Sequence, residues 1–83
     1  MNRAQVAALQ RTRNIDGLIE ALHDPDEYTR AAAADALAGF GTARVAEELE
    51  WVKFRDPDPK VRRSASYAHA RVVGRIRARD EMS

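Results

Sequence analysis

The chain repeats itself at an interval of 32 residues. Asp24-Pro25-Asp26 returns as Asp56-Pro57-Asp58, and the register continues downstream: Arg30 matches Arg62, Ala33 matches Ala65, Ala36 matches Ala68 and Ala38 matches Ala70. One Asp-Pro-Asp could arise by chance, but the aligned register after it is much harder to obtain that way. A period of this size marks a supersecondary unit that cannot bury its apolar face alone and must stack on a neighbour.

Each copy reads as helix, short turn, helix. Pro25 and Pro57 disfavour the helical conformation at the residue before them, so a first helix stops there. Asp26 and Asp58 are suited to cap a second helix, and Pro59 fits its first position. Beyond Asp58, apolar residues fall at Val61, Ala65, Ala68, Val72 and Ile76 along one helical face. The matching face of the first copy is Thr29, Ala33, Ala36, Leu37 and Phe40, with Gly39 and Gly41 as stop signals. Asn14 precedes Ile15, Leu18, Ile19 and Leu22, and Thr42 precedes Val45, Leu49 and Val52, so each caps a further helix. Residues 3–12 carry Val6 and Leu9 on a short helix. The reading is all-α, with helices near 3–12, 15–23, 27–39, 43–54 and 59–79. As one domain over 1–83 it divides into an N-terminal helix at 3–12, a repeat at 14–41, a repeat at 42–79 and a tail at 80–83.

The run Leu18-Ile19-Glu20-Ala21-Leu22-His23-Asp24-Pro25-Asp26, followed by Arg30, Ala33, Ala36, Leu37 and Gly41, resembles the short HEAT-like repeats also found in phycobilin lyases. The second copy keeps Asp56-Pro57-Asp58, Val61-Arg62, Ala65 and Ala68. The resemblance covers about residues 14–73 and implies a right-handed α-solenoid of about two and a half helical hairpins, roughly five helices. The second copy departs from the pattern in three places: Glu50-Trp51 stand where Leu and Ile are expected, His69 stands where Leu37 stands in the first copy, and no glycine follows Ala70, so the last helix is expected to run on. Trp51 has two readings. The family register aligns it with Ile19 in the core, whereas the Val45, Leu49, Val52 stripe turns it aside as a contact residue.

Composition narrows the function classes. Sixteen alanines against sixteen Leu, Ile, Val and Phe residues combined point to closely packed helices rather than a core of large side chains. There is no cysteine, which removes disulfides and thiolate chemistry. No apolar run reaches the ~20 residues of a membrane span, and no signal-peptide stretch opens the chain, which leaves a cytoplasmic protein as the expectation. Asp24, Asp26 and Glu27 lack calcium-loop spacing, and two histidines offer no zinc spacing, so neither metal nor cofactor is expected. Ser66 and His69 lie three apart on one helix, but no nearby acid is evident to orient the imidazole, and no strained nucleophile turn or glycine-rich oxyanion loop accompanies them. His69 is therefore read as a partly exposed edge residue and the chain as not an enzyme.

Two sets of residues remain as candidates. In similar repeats, pairs such as Asp24/Arg30 and Asp56/Arg62 link a turn to the second helix of the same or the next unit, through an Arg fork suited to carboxylate and carbonyl oxygens. The second set is Lys60, Arg63, Tyr67, Arg71 and Arg75, a stripe along the last helix opposite its apolar face. Its counterparts in the first copy, Ala31, Asp35 and Gly39, are small or acidic. Net charge is +1, but residues 14–58 carry −7 and residues 59–83 carry +5, an asymmetry that favours association through complementary fields. The expected function is a non-catalytic protein–protein interaction or adaptor module using this stripe, with Trp51 as a further contact. The alternative is nucleic-acid binding through the Arg-rich last helix, with Tyr67 stacking on bases. Weak homo-oligomers through the terminal helices, which carry Val6, Leu9, Val72, Val73 and Ile76, are a further expectation.

Overall fold

The computed structural model describes residues 1–82. Five helices follow in chain order: α1 (Arg3–Arg11), α2 (Ile15–Ala21), α3 (Glu27–Leu37), α4 (Ala43–Arg55) and α5 (Pro59–Glu81). No strand occurs among the described residues. α2 and α3 form one antiparallel hairpin and α4 and α5 the next. α3 packs on α1 at one side and α5 at the other, while α4 meets α2 lightly. The helices thus form two layers, an inner one of α1, α3 and α5 and an outer one of α2 and α4.

The expected caps start the helices. Asn14 accepts from the Gly17 N–H at 2.8 Å, Asp26 from Thr29 at 2.9 Å, Thr42 from Val45 at 3.1 Å and Asp58 from Lys60 at 2.7 Å. α1 adds a reciprocal capping box between Asn2 and Gln5, whose Asn-x-x-Gln signal stands in the sequence. The helix ends differ from expectation. α3 ends through tight bonds such as Phe40 N–H to the Leu37 carbonyl, and none of the glycines takes the left-handed conformation. That conformation falls instead on Arg13, at φ 55°. The Asn14 N–H bonds to the Leu9 carbonyl and the Arg13 N–H to the Gln10 carbonyl, so an arginine holds the position usually given to glycine. α5 continues through Asp80 and Glu81, residues expected in the tail; the tail's Ser83 lies outside the described residues.

The core is small-residue packing with a spine of larger side chains. Leu18, Leu22, Leu37, Val45, Leu49, Val52, Val61 and Val72 are fully buried, joined by Ala33, Ala34, Ala65 and Ala68. Alanines on facing helices bring the backbones close, which compensates for the short supply of large apolar residues.

In α4 the two copies fall out of step. The turns correspond at 32 residues, but an apolar stripe of the first helices corresponds at 30: the partly buried Ile15 with Val45, Ile19 with Leu49, and Leu22 with Val52. α4 has 13 residues to the 7 of α2, and it runs up to Asp56 without the short link that follows α2. This corrects the core reading of Trp51: it is 50% exposed, because it lies one residue, or about 100° of helix, from Val52.

Candidate functional site

Arg30 on α3 joins the two hairpins. Its Nε donates to Asp56 Oδ2 at 2.9 Å and its Nη2 to Asp56 Oδ1 at 3.3 Å. Its Nη1 donates to the carbonyls of Asp24 and Pro25, both at 3.0 Å. The carboxylate that Arg30 grips therefore belongs to the next turn, while the contact to its own turn runs through backbone. Arg62 repeats the second half alone: its Nη1 donates to the Asp56 carbonyl at 2.7 Å. Asp56 also accepts from the Asp58 N–H, and its side chain is only 5% exposed; among the described residues it is the one buried charged residue.

Asp24 has different partners. Its oxygens accept from the Asp26 N–H and from the Met1 ammonium. The Asp26 N–H holds its carboxyl below the usual aspartate range against the opposing effect of burial, with help from the Met1 ammonium and the nearby Arg30 charge. The Lys60 backbone N–H and ammonium do the same for Asp58, and Asp58 in turn raises the Lys60 ammonium.

The inner layer presents a row built by the repeat. Tyr28, Ala32 and Asp35 stand on α3, and Lys60, Ser64 and Tyr67 stand 32 residues later on α5. Steps of four and three keep each trio on one face. Tyr28 is 57% and Tyr67 61% exposed. Each ring lies beneath a cation: Lys60 Nζ is 5.2 Å from the Tyr28 ring centre, and the Arg71 guanidinium is 5.7 Å from that of Tyr67. Arg71 also donates to the Tyr67 hydroxyl at 3.4 Å. Beside this row, Arg3, Ala7 and Gln10 of α1 face Ala32 and Asp35 across a shallow depression of about 310 Å³.

The other candidates lie elsewhere. Arg63 is exposed on α5. Arg75 has left the stripe: its Nε donates to the Ala38 carbonyl at 3.2 Å, and its Cβ stands 3.0 Å from where a Cβ on Gly41 would sit. A side chain at Gly41 would be crowded by that close approach. Arg79 follows, donating to the Gly41 carbonyl at 2.7 Å. Trp51 belongs to the outer layer, where it meets His23 edge-on at 5.9 Å and lines a depression of about 440 Å³ with Glu47, Glu50, Phe54 and Arg55. Phe54 is more exposed than Trp51 and was not singled out from sequence; it falls in the extra length of α4. An acid does reach His69: Glu50 Oε2 is 3.6 Å from its Nε2, supplied by α4 rather than by the neighbouring sequence. Ser66 is exposed, and no hydrogen bond joins it to His69 among the described residues. Among those residues no group of three or more His, Cys, Asp or Glu is placed to hold a metal ion, and no helix is long and apolar enough to cross a membrane.

Stacked helical hairpins, tied turn to turn and offering one layer of second helices to solvent, define an α-solenoid repeat protein. The sequence profile of HEAT repeats matches residues 15–81, and the chain belongs to the HEAT-repeat family. No curated protein and no solved structure matches it.

Proposed function

We propose that the chain is a non-catalytic protein-interaction module whose partner lies along the inner layer, over Tyr28, Lys60, Tyr67 and Arg71. HEAT repeats commonly mediate protein–protein interaction. The observation that carries the choice of surface is the pair of exposed tyrosines, each beneath a cation. An aromatic ring with a cation on its face offers apolar area and a charged hydrogen-bond donor together, and such residues dominate measured interface energies. The row changes from Asp35 on α3 to Lys60 and Arg71 on α5, which suits a protein segment of mixed charge better than a uniformly anionic strand.

The test is binding of a native partner by the double variant Lys60→Glu, Arg71→Glu. Arg75 is unsuitable because it holds the end of α3. Affinity is expected to fall at least about tenfold with helicity intact. Wild-type affinity in the double variant would remove the inner layer from consideration and favour the Trp51–Phe54 face. A salt titration separates the alternative: a nucleic-acid ligand contacting several phosphates gives a steep log–log dependence, whereas a mixed-charge protein segment gives a shallow one.

A further inference from the structure

We infer that the outward edge of the second hairpin, centred on Arg62, is a docking face for a helical hairpin of a partner protein whose inter-helix turn carries a carboxylate. This face is distinct from the inner layer and does not depend on it.

The argument is the molecule's own repetition. Arg30 and Arg62 occupy equivalent positions and make equivalent bonds from Nη1 to the carbonyl groups of their own turns. Arg30 then uses its remaining edge, Nε and Nη2, to grip the carboxylate of the following turn. For Arg62 no acceptor meets that edge among the described residues. The guanidinium is held at one side and half-buried, with its bidentate side unused, and a carboxylate is the group that geometry matches.

The surroundings repeat as well. Ala34 and Ala38 follow Arg30 at four-residue steps and are buried where α5 lies against α3. Their counterparts, Ser66 and Ala70, follow Arg62 at the same steps and are exposed. These side chains stay small, so another helix can approach α5 as closely as α5 approaches α3. What covers the first hairpin's edge is a hairpin with an aspartate at its turn. The same shape and charge fit the second edge. A second copy of this chain fits less well, because α1 already occupies the place beside α3 that a docking α5 would need, and the Asp24 carboxylate is engaged by the Met1 ammonium.

The test uses the full chain and a defined probe, a fluorescently labelled peptide of residues 42–79, which carries Asp56 at its turn and no Arg30 partner. The expected result is saturable binding with a gain of helicity. Affinity should weaken about tenfold for Arg62→Lys protein, which keeps the charge and loses the fork, and equally for Asp56→Asn peptide. Unchanged binding by Arg62→Lys would mean that the peptide replaces the chain's own second hairpin, and would overturn the assignment. So would absence of binding at millimolar peptide. Sedimentation of the chain alone supplies the other arm: a dimer abolished by Arg62→Lys would put a second copy on the face instead of a partner, and a monomer agrees with the proposal.

Discussion

Arg30→Ala is the substitution that most directly measures how the two hairpins are joined. It removes four donor contacts: two to the Asp56 carboxylate and two to the carbonyls that end the first hairpin's turn. Asp56 is then left almost wholly buried with one neutral donor, the Asp58 N–H. Removing one partner of a buried ion pair costs about 3–5 kcal/mol when the other stays charged and dry. Here the remaining donor and water entering the vacated space offset part of that, so about 2–4 kcal/mol is expected. For 83 residues the whole stability is about 4–12 kcal/mol, so the loss is large. Arg62→Ala removes a single bond to a carbonyl and should cost about 1 kcal/mol. The assay is urea denaturation followed by circular dichroism at 222 nm, with slope and midpoint fitted for both variants. Equal midpoints for Arg30→Ala and Arg62→Ala would refute the reasoning, since their only large difference is the inter-hairpin carboxylate.

Leu49→Ala should destabilise by about 2–5 kcal/mol, because Leu49 is fully buried and leaves a cavity; Trp51→Ala should stay within about 1 kcal/mol, and the same denaturation series checks both. Thr29→Val should lose about 1 kcal/mol, since the buried hydroxyl donates to the Met1 carbonyl at 2.7 Å; an unchanged midpoint would show that this tie carries nothing. The carboxyls of Asp24 and Asp58 lie below their ordinary value in the folded chain. Their contribution is therefore complete above roughly pH 4 and is lost as pH falls through their folded values. Asp24→Asn should flatten that acid limb in urea midpoints measured from pH 6 to 2. Lys60 has the opposite sign: raised by Asp58, it contributes below roughly pH 10 and loses that contribution as pH rises through its folded value.

The fold was legible because its punctuation is local. Asp-Pro-Asp states where one helix ends and the next is capped, and the 4-3-4-4 apolar spacing after Asp58 states which face is buried. Two features stood open in the sequence: the turn alignment and the α4 stripe place Trp51 differently, and the Asp/Arg spacing allows either copy's carboxylate as the partner of Arg30. Trp51 was drawn toward Ile19 by aligning the turns, but α4 holds extra residues before Asp56, and its own stripe, Val45-Leu49-Val52, gave the register that the structure adopts. Likewise Asp24 and Arg30 share a spacing that Asp56 and Arg62 repeat, yet spacing within a copy is silent on which copy's carboxylate an arginine reaches. That choice is made by stacking, which brings Asp56 to Arg30 across 26 residues of chain.

The stripe on α5 shows how far a pattern of fours can be trusted. Each four-residue step advances a helix by about 400°, so side chains drift about 40° per step. From Arg63 to Tyr67 and Arg71 the drift stays within the solvent-facing side. By Arg75 it totals about 120°, enough to lay the side chain on the end of α3, and one step further Arg79 reaches the Gly41 carbonyl. Both arginines thus place positive charge at the C-terminal end of α3, where the helix dipole favours it. The extension of α5 past the point where α3 stops supplies these two arginines and closes the first hairpin from the second. Charge along this helix is therefore divided by angle: Lys60 and Arg71 serve the inner surface, Arg75 and Arg79 hold α3, and Arg62 faces outward along the stack. Reversing charge at Arg75 should lower stability, whereas reversing it at Arg71 should leave stability intact, and that contrast separates the residues that hold the solenoid together from those free to meet a partner.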